Sequence, residues 1–324
     1  MLVYIIKRIL SSLLMMVIAS ALIFFALEVL PGNAAQMLSG PDASPEAVAA
    51  LTHELGLDKP WTSRYAGWIA GIFSGELGNS YVYGSPVSEL IAERLQVTLP
   101  LAFLAMLLTL LISLPAGVYA AAHQGKAKDH IITLLTELGM AIPNFWLAIL
   151  LILIFAVTLQ WFPFGGFPGW RAEDGGGIVA GLTSLLLPAI ALAVVQAAVL
   201  SRFVRSAVLE VIHEKFVQAV RAKGVSKQAT LWRHILKNAS IPILTLAGLQ
   251  FATLLAGAIV TENVFILPGL GRLMVTAIEN RDFVVIRNAM LLLVGMVVIV
   301  NMLVDCICMA IDPRFAQAEQ MGGQ

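Results

Sequence analysis

Six long apolar runs are the feature that most constrains how this chain can fold. The runs cover residues 9–30, 97–122, 131–161, 182–200, 241–260 and 289–311. A helix needs about 20 apolar residues to cross the hydrocarbon core of a bilayer. Inside lipid the backbone must satisfy its own hydrogen bonds, which a helix does within a single segment. The sequence therefore predicts an all-α membrane protein with six transmembrane helices.

Several prolines lie within these runs. Pro115 and Pro143 lie in the middle of their runs and are expected to kink or locally open the helix. Pro188 and Pro242 are expected near helix starts, where proline is better tolerated.

The overall composition agrees with the predicted membrane fold. Of the 324 residues, 59% are hydrophobic and 12% are charged, whereas a soluble domain has about 25% charged residues. The first run follows Lys7 and Arg8, so it has some features of a secretory signal peptide. However, it is longer than the apolar core of a signal peptide and lacks a small-x-small cleavage site before Pro31. We therefore predict that residues 1–30 contain a retained first transmembrane helix.

The distribution of Lys and Arg predicts the orientation of the chain. Twenty Lys and Arg balance twenty Asp and Glu, so the net charge gives no indication of a nucleic-acid partner. With the N-terminus inside, the inner segments carry 13 Lys and Arg residues, against 7 on the opposite side. These inner segments are residues 1–8, 123–130, 201–240 and 312–324. Because cytoplasmic loops carry an excess of Lys and Arg, both termini are predicted to be cytoplasmic.

The segment between the first two runs is long enough to have structure of its own. A helix is predicted to begin at Ser44 and Pro45, a capping serine followed by proline in the first turn. A second, amphipathic helix is predicted around Trp61, Tyr65 and Trp68. The predicted parts are the first helix (1–30), a small periplasmic subdomain (31–96), a five-helix core (97–311) containing an inner loop (205–240), and a cytoplasmic tail (312–324).

Motifs for catalysis and for metal or nucleotide binding are absent from the sequence. It contains no G-x-x-x-x-G-K-[ST], H-E-x-x-H or G-x-S-x-G pattern. Cys306 and Cys308 lie inside the last apolar run, which suits neither a zinc site nor a disulfide framework. Glu137 and Asp305 are ionisable residues within the runs, and we expect them to pair between helices. The sequence thus predicts no enzyme, no metal site and no nucleotide site on this chain.

The longest polar insert on the predicted inner side, residues 201–240, has a regular pattern at its centre. Phe216, Ala219 and Val220 fall at helical spacing and predict a short helix with a narrow apolar face. Gly224 is suited to ending that helix in a left-handed turn, and a second helix is predicted from Ser226. The pattern favours a rigid projection. The residues alone also leave open an ordinary solvated loop that is basic because of its side of the membrane.

A longer motif in this insert indicates a family. The matching residues are Glu210, Val217, Ala219, Arg221, Ala222, Lys223, Gly224, Val225, His234, Leu236, Lys237, Asn238 and Ala239. They resemble the EAA loop of ABC-transporter permeases of the oligopeptide, dipeptide and nickel importer subfamily. Phe216 stands where that subfamily has Tyr, and Val220 stands where Thr or Ala is usual.

Shorter motifs in the same order extend the resemblance along the chain. They lie at residues 4–9, 30–32, 55–60, 75–80, 142–148, 261–272, 281–282 and 312–314. The chain as a whole is therefore similar to permeases of binding-protein-dependent, type I importers. The resemblance implies the type I ABC importer permease fold, an all-α membrane fold with six transmembrane helices, both termini cytoplasmic and a small periplasmic subdomain after the first helix.

The resemblance also implies roles for particular residues. Residues 216–224 would form a coupling helix that sits in a groove of a partner ATPase. The residues implied in ATPase coupling are Glu210, Phe216, Ala219, Arg221, Ala222, Lys223, Gly224, His234 and Asn238. The residues implied in a periplasmic gate and in docking are Glu262, Phe265, Pro268, Gly269, Gly271 and Arg272.

The function implied by the resemblance is that of a permease subunit in the bacterial inner membrane. The expected partners are a second homologous permease, two ATP-binding-cassette subunits that hold the ATP and Mg²⁺, a periplasmic solute-binding protein and membrane lipid. The expected substrate is a short peptide, and nickel or another metal chelate is the alternative. A secondary transporter is a further hypothesis, but it predicts inverted repeats and ionisable residues at the midplane, and the sequence shows neither.

Overall fold

The computed structural model describes residues 2–29, 34–40 and 43–311, and these residues are mostly helical. The α-helices are α1 (Leu2–Val29), α2 (Ala34–Ser39), α3 (Pro45–Glu54), α4 (Trp61–Ser74), α5 (Val87–Ala122), α6 (Ala127–Ala141), α7 (Asn144–Leu151), α8 (Ile178–Ile212), α9 (Lys215–Ala222), α10 (Lys227–Ala229), α11 (Leu236–Val264), α12 (Leu270–Glu279) and α13 (Phe283–Ile311). A π-helical stretch, Ile152–Thr158, continues α7, and another, Thr230–Ile235, joins α10 to α11. A short 3₁₀ turn covers Ala172–Asp174.

Some of the sequence predictions fall outside the described residues. These are the motifs at 30–32 and 312–314, together with the predicted tail at 312–324.

The predicted all-α membrane fold is confirmed. Five helical segments in the described ranges are long and apolar enough to cross a membrane. They are Ile6–Val29, Val87–Ala122, Ile178–Ile212, Lys227–Val264 and Phe283–Ile311. A sixth crossing results if α6 and the helix formed by α7 and its π-helical continuation are taken as one broken span. The structure therefore has the predicted six spans only if this bent pair of helices crosses the membrane as one span.

The third predicted span, residues 131–161, is sharply bent in the structure. The helix axes on either side of the break make an angle of 98°. Ile142 at the break is extended, with φ −84° and ψ 122°. Pro143 explains this geometry because proline removes a backbone N–H and keeps the residue before it out of the helical region. The predicted kink at Pro143 is thus a complete interruption of the helix.

The expectation that Pro188 and Pro242 lie near helix starts is wrong. Pro188 lies in the interior of α8, and Pro242 lies in the interior of α11. Both helices begin before the apolar run that predicted them. Helix α8 starts at Ile178 rather than at residue 182, and α11 starts at Leu236, in a first turn that contains Lys237 and Asn238. In the same way, α5 begins at Val87 rather than at residue 97, and α8 continues to Ile212 rather than ending near residue 200.

One compact unit of the chain consists of Leu2–Thr98 and Pro268–Val298. Its core holds Phe24 stacked on Trp68, with ring centroids 6.1 Å apart. The Trp68 indole N–H donates to the Asn288 side-chain oxygen at 2.8 Å. The predicted cap of α3 is confirmed, since the backbone N–H of Ala47 donates to Ser44 Oγ at 3.2 Å. The predicted amphipathic helix around Trp68 is α4.

The other unit consists of residues 99–267 and 299–311, and α8 lies at its centre, in contact with α6, α7 and α11. Small residues allow these helices to approach closely. A Cβ added at Gly117 of α5 would lie 2.6 Å from the Val204 side chain of α8. A Cβ added at Gly139 of α6 would lie 2.9 Å from the Ala198 side chain. Small residues are typical of helix contacts in membranes, where backbones come close together.

Candidate functional site

The connection between α8 and α11 contains the predicted coupling helix. Because α8 extends to Ile212, the polar insert is shorter than residues 201–240 and is centred on α9, Lys215–Ala222. Gly224 follows α9 with φ +82°, and its backbone N–H donates to the Arg221 carbonyl at 3.0 Å. A left-handed glycine just after the last residues of a helix satisfies the free carbonyls there. The prediction that Gly224 ends the helix is confirmed.

Helix α9 has an inner and an outer side. Val217 is 1% exposed and belongs to a hydrophobic cluster that includes Val208, Ile235 and Ala239. On the outer side, the Phe216 side chain is 38% exposed and Ala219 is exposed as well. The predicted apolar face of Phe216 and Ala219 therefore faces away from the cluster. Val217, which matches the motif but does not belong to the predicted apolar face, attaches the helix to the rest of the unit.

The second helix of the connection starts as predicted. Ser226 Oγ accepts a hydrogen bond from the Ala229 backbone N–H at 3.3 Å, and Thr230 Oγ1 donates to the Ser226 carbonyl at 2.9 Å. The π-helical stretch Thr230–Ile235 then joins α10 to α11 without a break in the helical path. Since Ile235 is fully buried in the same cluster as Val217, both sides of the projection rest on one core.

The remaining residues implied in coupling do not all meet at α9. Glu210 is exposed in the last turn of α8, and Arg221, Ala222 and Lys223 are exposed at the end of α9. Asn238 donates its side-chain amide to the His234 carbonyl at 2.8 Å, within its own helical segment. Val217 shares its cluster with Ile235 and Ala239, so α9 is attached to the helical segment that contains His234 and Asn238.

An ion pair near this connection was missed by the sequence predictions. Arg205 of α8 donates two hydrogen bonds to Asp129 of α6, from Nε to Oδ1 at 2.7 Å and from Nη2 to Oδ2 at 2.8 Å. The backbone N–H of Gly125 also donates to Asp129 Oδ2 at 2.9 Å. A bidentate pair of this kind fixes the relative position of the two side chains. The short turn between α5 and α6 is thus attached to α8.

The motif at residues 261–272 was implied in a periplasmic gate and in docking. Its first half, residues 261–267, is mostly buried. Glu262 is fully buried in α11, and the gate and docking role that the resemblance implies for it stays a prediction. Phe265 is 1% exposed, and its carbonyl accepts a hydrogen bond from Gly166 N–H at 2.9 Å. Gly165 lies against the same carbonyl, leaving no room for a Cβ. The glycine-rich loop after α7 therefore packs on the end of α11.

The second half of this motif starts α12 and belongs to the other unit. The N–H of Leu270 donates to Thr98 Oγ1 at 2.8 Å, and Gly269 precedes the helix in an extended conformation. Gly271 is buried, whereas Arg272 is exposed. Arg272 and Pro268 line a cavity of about 250 Å³, together with Arg94, Tyr83, Leu273 and Thr276.

This cavity carries positive charge. Arg94 and Arg272 line it, and no Asp or Glu is among its lining residues, which all lie in the described part of the chain. The Arg94 Nε atom is buried and has no hydrogen-bond partner there. A guanidinium group presents a planar set of donors that suits a carboxylate. One of the two guanidinium groups that line the cavity, that of Arg94, therefore has a donor without a partner among the described residues.

Two further motifs, residues 75–80 and 281–282, meet at one buried carboxylate. Asp282 is 1% exposed, and Ser80 Oγ donates to its Oδ2 at 2.5 Å. The backbone N–H groups of Val82 and Val285 donate to the same side chain at 3.3 and 3.2 Å. The preceding residue, Arg281, has φ +52°. Asp282 thus fixes the loop after α4 to the start of α13.

These features define a multi-pass α-helical membrane protein with an attached helical projection between two of its spans. Residues 113–317 match the family described as the binding-protein-dependent transport system inner membrane component, and residues 1–102 match the N-terminal part of such membrane components. The chain belongs to this family. It is accordingly a multi-pass protein of the bacterial inner membrane that works with ABC subunits and a periplasmic binding protein.

Named relatives align with almost the whole length of this chain. A protein of Brucella abortus (strain 2308), named as a permease of a peptide transport system, is 40% identical over 310 residues, which are 96% of this chain and 98% of that protein. The glutathione transport system permease protein GsiC of Salmonella choleraesuis is 36% identical over 313 residues, covering 97% of this chain and 98% of the relative. Proteins of this kind are the permease subunits of ABC transporters and are not enzymes themselves, because ATP hydrolysis lies in partner subunits.

The fold is also similar to that of a solved transporter. A chain of the MetNI methionine ABC transporter, in an inward-facing conformation, aligns with a TM-score of 0.57 and 21% identity. The alignment covers 68% of this chain and 96% of that chain. At this level of identity the likeness concerns the fold, which is that of a type I importer permease.

Proposed function

We propose that this chain forms one half of the translocation pathway of an ATP-driven importer for short peptides. The support for the substrate comes from the relatives, which are named for peptide transport and for glutathione, itself a tripeptide. The peptide is delivered by the periplasmic binding protein and passes between this chain and a second, homologous permease. Two ATP-binding-cassette subunits hold the ATP and Mg²⁺ and supply the energy.

In this proposal both termini are cytoplasmic. The orientation is supported by the excess of Lys and Arg, 13 against 7, on the side that carries α9. The projection then faces the ATPase subunits. The cavity lined by Arg94 and Arg272 faces the periplasm, where the binding protein docks.

The observation that carries the proposal is the two-sided construction of α9. Val217 is buried in the hydrophobic cluster, and Phe216 and Ala219 point outward. An exposed aromatic side chain on an anchored helix is suited to filling a groove on a partner. Because the helix is attached by its buried side, a displacement of the partner would move α8 and α11 with it. We assign the coupling role to α9 and the exposed residues that follow it.

On the opposite side we propose that the cavity lined by Arg94 and Arg272 receives an acidic side chain of the binding protein. The buried Arg94 Nε atom without a partner supports this assignment. Charge complementarity of this kind directs association and fixes orientation between proteins. We also keep the gate assignment that the resemblance implies, with Glu262 and Phe265 contributed by one unit and Pro268, Gly269 and Gly271 by the other.

The coupling role is tested by replacing Phe216 with Ala in the assembled transporter. Truncating an aromatic residue at the centre of an interface costs about 2 kcal/mol or more, so we expect about thirtyfold weaker association of the ATPase subunits. Peptide uptake per ATP hydrolysed should fall as well. The measurements are subunit association by surface-immobilised binding and uptake in proteoliposomes.

Gln218→Ala is the matched control for this experiment. Gln218 is exposed on the same helix, so its truncation shortens a side chain without removing the aromatic group. We expect association and uptake to stay near those of the unaltered protein. Equal values for Phe216→Ala and Gln218→Ala would overturn the assignment of α9 as the coupling helix.

A further inference from the structure

A cavity of about 400 Å³ lies beside the projection and shares Arg221 with the residues assigned to coupling. Its inner wall is apolar and includes Val118 of α5, Ile212 of α8 and Leu231 before α11. Val118 is fully buried, and Ile212 and Leu231 are half-buried. The cavity therefore has an apolar interior where the ends of several membrane helices meet.

The charged groups that line this cavity are all cationic or basic. They are His123, Arg221 and Lys227, and no Asp or Glu is among the lining residues, each of which lies in the described ranges. Arg221 and Lys227 are exposed at the ends of two different helices, α9 and α10. A ligand that fits the cavity therefore combines a negative group with an apolar part.

Two aromatic residues indicate where the cavity lies relative to the membrane. Tyr119 and Trp232 line it and are 43% and 47% exposed. The Tyr119 ring packs against the His123 ring in a tilted arrangement, with centroids 4.3 Å apart, and Lys128 Nζ lies 5.5 Å from the Tyr119 ring centroid. Tyr and Trp with adjacent cations are typical of the boundary between the hydrocarbon and the headgroups of a membrane.

We propose that this cavity binds an anionic phospholipid of the inner leaflet. The negative headgroup would contact Arg221, Lys227 and His123, and the first part of an acyl chain would lie on Val118, Ile212 and Leu231. Basic pockets between membrane helices on the cytoplasmic side are known sites for anionic lipid headgroups. The inference rests on the proposed function in one respect, since it takes the α9 side of the chain as cytoplasmic.

A lipid fits this cavity better than a small soluble anion. A free phosphate or carboxylate would use the three basic groups but would leave the apolar wall facing water. Burial of apolar surface contributes roughly 25 cal/mol per Å², so an acyl chain gains from the wall what a small anion does not. The combination of an apolar interior and a cationic rim thus indicates an amphiphile.

The bound lipid would contact both helices of the projection. Arg221 lies at the end of α9 and Lys227 lies at the start of α10, on either side of Gly224. A single headgroup held by both side chains would connect the two helices across the glycine turn. The position of α9 would therefore depend on the anionic lipid content of the membrane.

The test is a lipid titration of the purified full chain and of the assembled transporter, followed by native mass spectrometry. The probes are phosphatidylglycerol and phosphatidylcholine with identical acyl chains. One cationic side chain near an anionic lipid changes its affinity by about fivefold. We expect phosphatidylglycerol to bind at least about fivefold more tightly than phosphatidylcholine, and Lys227→Gln to remove about fivefold of that preference.

Lys237→Gln is the matched control, because Lys237 is an exposed cation of α11 that does not line the cavity. We expect this variant to keep the phosphatidylglycerol preference. An equal loss in Lys227→Gln and Lys237→Gln would show attraction to the whole surface and would overturn the site. Trp232→Ala should weaken both lipids, since the ring lines the cavity, and unchanged binding would also contradict the proposal.

Two further arms separate the lipid from other occupants. Glycerophosphoglycerol, the headgroup without acyl chains, should not compete with the lipid, and equal competition would assign the cavity to a soluble phosphodiester. Loss of the bound lipid in the assembled transporter would assign the cavity to the ATPase instead. If lipid preference is absent while ATP-driven uptake remains, the lipid site fails and the proposed function stands.

Discussion

At the scale of single residues, Asp282 connects two of the motifs. Its carboxylate accepts hydrogen bonds from Ser80 Oγ and from the backbone N–H groups of Val82 and Val285. A buried charge is tolerated when several donors surround it. The motifs at 75–80 and 281–282 therefore have a structural explanation, because one supplies the donors for the carboxylate of the other.

Asp282→Asn is expected to destabilise the protein. The amide keeps the size of the side chain but loses the charge, and its NH₂ group cannot accept from the surrounding donors. Hydrogen bonds to charged groups contribute about 1.5–3 kcal/mol, so we expect a loss of about that size in the free energy of unfolding. Thermal unfolding in detergent measures it.

Asp58→Asn is the control for this prediction. Asp58 is exposed and its carboxylate lies 3.9 Å from His53 Nε2, so the change should alter stability by no more than about 0.5 kcal/mol. A similar melting temperature for Asp282→Asn and Asp58→Asn would contradict the role of Asp282.

The residues that could be predicted from the sequence are those with local signals. Ser44, Ser226 and Gly224 act on backbone groups within a few positions of themselves, so capping and turn rules identified them. The Asp129–Arg205 pair could not be predicted, because its members are 76 positions apart. In a single sequence no pattern links such positions.

At the scale of helices, close approach of α5 and α8 depends on Gly117. A Cβ there would lie 2.6 Å from both the Ser201 carbonyl oxygen and the Val204 side chain. Gly117→Ala should therefore push α5 and α8 apart, at a cost of about 1–3 kcal/mol for an overpacked contact. Thermal unfolding of the full chain in detergent checks this loss of stability.

Gly67→Ala provides the comparison, because Gly67 lies in α4 and a Cβ there would meet no atom within 4 Å. Alanine is a better helix former than glycine by up to about 1 kcal/mol. This variant should keep or raise the melting temperature. A Gly117→Ala protein as stable as Gly67→Ala would rule out close packing at that position.

Hydropathy predicted the cores of the spans better than their ends. The extension of α8 to Ile212 and the start of α5 at Val87 consist of turns that contain polar and charged residues. Such turns lie outside the apolar signal, although they continue the same helix. The complete break at Pro143 was underestimated, because proline within a helix can produce either a kink or an interruption.

The inner and outer sides of α9 were also only partly predictable. Phe216 and Ala219 were expected to form the outward face, and the structure places them there. Val217 was indistinguishable from them in the sequence, because only the surrounding cluster shows which side is attached. Nothing in the sequence indicated that Glu262 is buried, because burial depends on helices that pack around α11 and not on neighbouring residues.

At the scale of the whole molecule, large apolar side chains remain exposed on the membrane helices. Leu10, Leu14 and Leu22 of α1 are 67%, 60% and 65% exposed. Lipid, or the apolar surface of a second membrane subunit, is the environment that suits such a helix. This agrees with a chain that supplies half of a pathway, with the second half contributed by another permease.

The central claim is that transport by this chain is driven by ATP through partner subunits. The most direct measurement is uptake of a labelled dipeptide into proteoliposomes that contain this chain, the second permease and the two ATPase subunits. The account predicts uptake that requires the binding protein and hydrolysable ATP and that stops when the ATPase subunits are left out. Uptake that continues without the ATPase subunits and follows an ion gradient would contradict it.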